Sequence, residues 1–236
     1  MASIPQINQW FQGKNWTVFP FQQNCWAAIA EGKSGLLNAP TGSGKTFAIW
    51  LGLLARKSEQ KKGLKILWIT PLRALSKDIA TAMQDAADAL ETGWRVGMRS
   101  GDTDTKTREA LRRNPPDALV TTPESLHLML ASKNYPEYFK HLDAIVADEW
   151  HELIGSKRGV QVELALSRLK SIQPKLLIWG ISATIGNLDE AIQVLLGVHH
   201  KGTMIRADHS RFPEIRTVFP DELEKLPWAG HLGIHL

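Results

Sequence analysis

The stretch Ser34-Gly35-Leu36-Leu37-Asn38-Ala39-Pro40-Thr41-Gly42-Ser43-Gly44-Lys45-Thr46 constrains this chain more than any other. Residues 35–39 are an apolar run that predicts a buried strand. A Gly-rich turn follows, and Phe47, Ala48, Leu51 and Leu54 then recur at the spacing of a helix over 44–56. In such a strand–turn–helix, N–H groups of the turn and of the helix N-terminus converge on one concavity, where the helix dipole also favours negative charge. Gly42 and Gly44 carry no Cβ, so the backbone can bend tightly and approach oxygen atoms closely. Ala39, Pro40, Thr41 and Ser43 complete the loop. Lys45 is then placed to reach the β- and γ-phosphates of a nucleoside triphosphate, and the Thr46 hydroxyl to ligate Mg²⁺. Ala39 stands where the pattern G-x-x-x-x-G-K-[ST] begins with glycine, but the flanking strand and helix are the context that the pattern requires.

The rest of the chain repeats this alternation. Lys65–Thr70 is a continuous apolar run closed by Pro71. Leu72, Leu75, Ile79, Met83, Ala86 and Leu90 follow at helical spacing. Further strands are predicted at Arg95–Arg99, Ala118–Thr122, Asp143–Asp148 and Leu176–Ser182, with helices between most of them, including one over 157–171. Pro20 opens an earlier helix that runs to about Glu31 and ends at Gly32. Asn187 is a helix N-cap, with Asp189 and Glu190 in the first turn and Gly197 past the end. Strands that are apolar throughout and alternate with helices predict a three-layer α/β domain around a mainly parallel sheet. That domain is expected over residues 1–200. From 201 to 236, Pro213, Pro220 and Pro227 interrupt short polar segments, which predicts a linker.

Asp148 and Glu149 sit at the carboxyl end of an apolar strand, the edge of a parallel sheet where ligands bind. Asp148 is suited to hold a Mg²⁺-bound water, and Glu149 to orient or deprotonate a water attacking the γ-phosphate. A zinc hydrolase motif at His151-Glu152 is excluded, because Gly155 occupies the place of its second histidine. Ser182 and Thr184 end another strand. Their hydroxyls are either partners for His151 or Glu149, relaying the nucleotide state, or simply a hydroxyl-rich helix start.

The net charge of +4 permits a polyanionic partner without requiring one. Cys25 is the only cysteine, so no intrachain disulfide can form; among Trp26, Ala27, Ala28 and Ile29 it is expected to pack inside a helix. The first residues lack the basic start and apolar core of a signal peptide, and no apolar run is long enough to cross a bilayer. No membrane partner and a cytoplasmic location are expected.

Taken together, Ala39–Thr46, Asp148-Glu-Trp-His151 and Ser182-Ala-Thr184 resemble motifs I, II and III of superfamily 2 helicases of the DExH type. Thr70-Pro-Leu-Arg-Ala-Leu75 resembles motif Ia, Thr121-Thr-Pro-Glu-Ser125 motif Ib, and Gln22 the adenine-reading glutamine of the Q motif. The run from Asp148 through Gly159 to Leu169 resembles the Lhr-like helicases, and within them the ligase-associated DExH-box helicases of bacterial DNA repair. Residues Trp16 to Phe21 and Pro227 to His231 fit that subgroup as well.

The resemblance implies a RecA-like P-loop NTPase domain of a motor that uses ATP and Mg²⁺ to move along single-stranded DNA. It makes Lys45, Asp148, Glu149 and His151 catalytic, His151, Ser182 and Thr184 coupling residues, and Arg73, Ser100, Gly101, Asp102 and Thr122 contacts to the nucleic-acid backbone. Without the motif, Arg73 reads as a surface charge; Lys157 and Arg158 are weaker candidates and read as a solvated loop. The family also has a second RecA-like domain that bears an arginine finger, and nothing after Thr184 resembles it. The chain is therefore expected to be the first motor domain of a longer protein, binding nucleotide weakly and not unwinding by itself. A ligase-containing repair system is a partner by the resemblance alone. RNA as the substrate, a non-catalytic ATP-gated clamp or docking module, and a P-loop kinase are the other readings; the order of the 121–123 and 182–184 segments argues against the kinase.

Overall fold

The computed structural model describes residues 2–56, 62–183, 185–198 and 200–207. Helices α1 (Ile4–Gly13) and α2 (Pro20–Ala30) precede β1 (Gly35–Asn38) and α3 (Lys45–Ala55). Then come β2 (Ile66–Ile69), α4 (Arg73–Ala89), β3 (Val96–Arg99), α5 (Thr105–Arg113) and β4 (Ala118–Thr121). Next are α6 (Pro123–Leu130), α7 (Tyr135–Phe139), β5 (Ala144–Ala147), α8 (Trp150–Leu153) and α9 (Lys157–Ile172). Strand β6 (Leu177–Ser182), α10 (Leu188–Leu196) and β7 (Thr203–Arg206) complete the described chain.

The strands form one seven-stranded sheet in the order β3-β4-β2-β5-β6-β1-β7. Every pairing in it is parallel. Side chains of a strand alternate between faces, so a strand apolar throughout feeds two cores. Ile66, Trp68, Val120, Val146 and Trp179 join the core under α1–α4. Their neighbours Leu67, Ile69, Leu119, Ile145 and Ile178 join the core under α6–α10. This is the expected three-layer arrangement. The fully buried Trp50, Trp68, Trp150 and Trp179 each place the indole N–H on an oxygen acceptor, which removes the cost of burying that donor. Cys25 is fully buried in α2 as expected, and burial pushes its thiol pKa far up, which makes it inert.

Two features differ from expectation. Strand β7 pairs with β1 along Gly35↔Thr203 to Asn38↔Arg206, so the sheet continues past residue 200, where a linker was expected. A four-residue strand in which Ile205 alone is buried carries no continuous apolar run to announce it. Residues 208–236, with Pro227 to His231, lie outside the described residues. In addition, Leu72 and Leu75 are exposed although Met83, Ala86 and Leu90 of the same stripe are buried. Helix α4 has 17 residues and is about 25 Å long. The four-residue strands beneath it span only about 13 Å, so the helix is longer than the sheet is deep and cannot bury its apolar stripe along its whole length.

Candidate active site

The carboxyl ends of β1, β6 and β5 lie side by side, and the candidate catalytic residues sit on the loops that leave them. Beyond β1, Ala39 is buried and its N–H donates to Ser182 O at 3.0 Å. Asn38 Nδ2 donates to Ala183 O at 3.1 Å, a second tie between the two loops that the sequence did not reveal. Pro40, Thr41 and Gly42 are exposed. Ser43 Oγ donates to Pro40 O at 2.7 Å and closes the turn. Gly42 and Gly44 take φ of 73° and 85°, values that glycine adopts without a Cβ penalty. Thr46 is half-buried in the first turn of α3.

Gln22 supports this loop from below. Its Oε1 accepts the Phe19 N–H at 3.0 Å, and its Nε2 donates to Gly44 O at 3.2 Å. A Cβ at Gly44 would stand 2.9 Å from that Nε2. The amide is therefore a clamp between α2 and the cradle, with one further donor and one further acceptor site left.

Lys45 is the electrostatic centre. Its side chain is 8% exposed, and its Nζ has no hydrogen-bond partner. The nearest carboxylate oxygen, Glu149 Oε1, is 3.8 Å away. A buried ammonium with unsatisfied donors is costly, and an anion entering the cradle relieves that cost.

Asp148 follows β5 and is 6% exposed. Trp68 Nε1 donates to its Oδ2 at 3.1 Å, and the Glu149 N–H to its Oδ1 at 2.9 Å. Burial, with the adjacent Glu149 charge, nevertheless pushes its pKa up to about 6, against those hydrogen bonds and the pull of Lys45. A carboxylate so starved of positive charge suits a divalent cation. Glu149 has φ 46° and ψ 48°, a left-handed conformation that costs a non-glycine residue of order 1 kcal/mol. This turn brings the Glu149 carboxylate to both Lys45 and His151, whose Nδ1 is 3.5 Å from Glu149 Oε2. The same Nδ1 is 3.3 Å from Ser182 Oγ. Ser182 is thus a partner of His151, as one of the two readings expected. Thr184 lies outside the described residues.

The residues proposed for nucleic acid divide. Arg73, at the start of α4, is half exposed, with Nη1 3.6 Å from Asp102 Oδ1 and its guanidinium against Gly101. Ser100 Oγ accepts the Asp102 N–H at 3.3 Å and shapes that loop. Arg73, Gly101 and Asp102 therefore form one surface at the sheet's carboxyl edge, with Ser100 buried beneath it as a loop-shaping residue. Thr122 does not share it: it is fully buried, and its Oγ1 caps α6 by accepting the Ser125 N–H at 3.4 Å. Arg158 is held by Glu124, Nε to Oε1 at 2.5 Å, and so belongs to a bridge between α9 and α6 rather than to a free loop.

This constellation offers a buried cation to phosphates at Lys45 and a proton acceptor at Glu149, and Thr46 and Asp148 are the residues that would hold a metal ion. Residues 19–191 match the family of DEAD/DEAH box helicases. The chain belongs to the DEAD/DEAH box helicase family.

Among individual proteins, it is similar to the Lhr helicase/uracil glycosylase of Escherichia coli (strain K12). The two are 34% identical over 237 residues, which cover 92% of this chain and 15% of that protein. The ATP-dependent helicase Lhr-Core of Sulfolobus acidocaldarius is 33% identical over 230 residues, covering 92% of this chain and 26% of the relative. A solved structure of Mycobacterium smegmatis helicase Lhr bound to ssDNA and AMP-PNP superimposes with a TM-score of 0.76 at 34% identity, covering 87% of this chain and 28% of that one. The chain thus spans 15% to 28% of the length of these proteins. The sheet and its helices are the RecA-like helicase fold.

Proposed function

We propose that this chain is the first motor domain of an ATP-dependent helicase that acts on single-stranded DNA. The observation that carries the reading is the buried Lys45 ammonium, without a hydrogen bond, facing Glu149 across the mouth of a phosphate cradle. Lys45 would take the outer phosphates, and its charge would leave Glu149 for them. The Glu149 carboxylate, freed on that side, is positioned to orient the attacking water and accept its proton. Mg²⁺ held by Thr46 and Asp148 would supply charge neutralisation on the phosphates.

His151 lies between Glu149 and Ser182 and is the natural route from nucleotide to the rest of the domain. Arg73, beside the exposed Gly101, carries a cation suited to phosphates rather than to bases, in keeping with movement along any sequence. Strand separation needs a second domain that opens and closes against this one. Alone, the chain is expected to bind ATP–Mg²⁺ and single-stranded DNA weakly, to hydrolyse slowly, and not to unwind. A role in DNA repair beside a ligase rests on the Lhr-like resemblance.

The test is steady-state ATP hydrolysis by the purified chain with single-stranded DNA, with RNA of equal length, and with neither. Slow turnover raised more by DNA supports the reading. Greater stimulation by RNA would move the substrate, and turnover that Glu149→Gln leaves unchanged would remove the catalytic role.

A further inference from the structure

A second charged feature lies away from the nucleotide. Beside β3, between α5 and the α6–α7 segment, runs an open cleft of about 1140 Å³. Arg99, the last residue of β3, and Arg108, from α5, both line it. Each has a buried Nε with no hydrogen-bond partner. Arg112 lines the same cleft and makes no ion pair among the described residues.

The acidic residues of the lining do not answer these charges. Glu109 is paired with Arg113 at 3.5 Å, Glu137 with Lys140, and Asp117 with Lys65 at 2.7 Å. The cleft is therefore left with guanidinium groups that lack carboxylate partners. An unsatisfied buried donor is costly, and two like charges set close together add to that cost. Burial and the neighbouring Arg108 lower the pKa of Arg99, against the opposing effect of Tyr138. A guanidinium charge without a carboxylate partner is well matched by the oxygens of a phosphate.

We propose that this cleft is a second phosphate-binding track for a nucleic-acid strand, floored by Arg99 and Arg108 and lined by Arg112. Three observations favour a strand over a small anion or an acidic protein. The volume is several times that of one phosphate group. The charges left without a carboxylate at Arg99, Arg108 and Arg112 are guanidiniums, the group that pairs best with phosphate. The cleft also adjoins the Arg73 loop: Arg108 Nη2 donates to Gly101 O at 2.7 Å, and Thr105, in the cleft lining, follows that loop by a few residues. A strand leaving Arg73 and Asp102 over the edge of the sheet would have this cleft beside it. The proposal rests on the nucleic-acid reading above and extends it from the carboxyl edge to the flank of the domain.

The test measures binding of single strands of about 6 and about 20 nucleotides to the chain, as a function of salt. The variants are Arg99→Gln and Arg112→Gln, singly and together; Arg112 is exposed, so its replacement leaves the fold intact, and unchanged ATP binding checks both. The long strand should bind the double variant about tenfold more weakly, with a salt slope shallower by about 0.7 per lost phosphate contact. The short strand should not distinguish the proteins. Equal affinity and slope for the long strand on wild type and double variant would overturn the cleft while leaving the edge surface standing. Failure of wild type to bind either strand would overturn both. Displacement of the long strand by poly-L-glutamate at equal charge would overturn the strand in favour of an acidic protein partner.

Discussion

The indole N–H of Trp68 donates to Asp148 Oδ2 at 3.1 Å, across 80 residues of sequence and inside a fully buried position. One strand thereby holds the carboxylate of its neighbour. Trp68→Phe keeps an aromatic ring and removes the donor. The domain should lose about 2 kcal/mol at pH 8, where Asp148 is charged, and less at pH 5. Urea unfolding at the two pH values measures the difference; an equal loss at both would reduce Trp68 to packing.

Asp148 itself gives the nucleotide-free domain a pH signature. Its pKa stands at about 6 rather than 3.8. The folded state therefore binds this proton more tightly than the unfolded chain. Its contribution is full below about pH 4 and is lost as pH rises through about 6, a change of roughly 3 kcal/mol. The carboxyl carbon of Asp148 in an NMR titration should move with a midpoint near 6 and shift well below that in the presence of ATP–Mg²⁺. A midpoint near 4 in the free protein would contradict the description of the site.

The clamp beneath the cradle predicts a stability effect without any ligand. Gln22→Ala removes the donor to Gly44 O and the acceptor of the Phe19 N–H, and should destabilise the nucleotide-free domain by about 1–2 kcal/mol. Gly44→Ala should cost at least as much, since it forces a Cβ onto φ 85° and against the Gln22 amide. Thermal unfolding reads both; an unchanged midpoint for Gln22→Ala would confine that residue to contact with the base.

Strand β7 sets where the domain stops being dispensable. A chain ending at residue 200 bares the edge of β1 and uncovers the core around Ile205, whereas one ending at 207 keeps both. The shorter chain should unfold at a lower temperature and aggregate more readily than the longer. Equal midpoints would make β7 an accessory.

What could be read in advance follows the distance over which each feature is encoded. The cradle and the Asp148-Glu149 pair are contiguous, so residue type and spacing were enough to place them. The three layers followed from strands apolar throughout, which is a local property. By contrast, the Trp68 bond to Asp148 and the Asn38 bond to Ala183 join residues far apart in the chain, and only the parallel register of β2, β5, β6 and β1 creates them. The left-handed turn at Glu149 is imposed by its neighbours and has no residue signature. Thr122 resembles a phosphate contact by motif, yet its hydroxyl is committed to capping α6, a choice made by the strand end on which it sits. The arginine cleft needed β3, α5 and α7 to be assembled before Arg99 and Arg108 could be seen together.

Lys45 and Glu149 are expected to act on the same triphosphate. Calorimetric titration of ATP with Mg²⁺ into wild type, Lys45→Ala and Glu149→Gln addresses this directly, with hydrolysis followed in parallel. Lys45→Ala should weaken binding by at least about tenfold, while Glu149→Gln should bind ATP at least as well as wild type and lose turnover. Wild-type affinity in Lys45→Ala, or undiminished hydrolysis in Glu149→Gln, would contradict it.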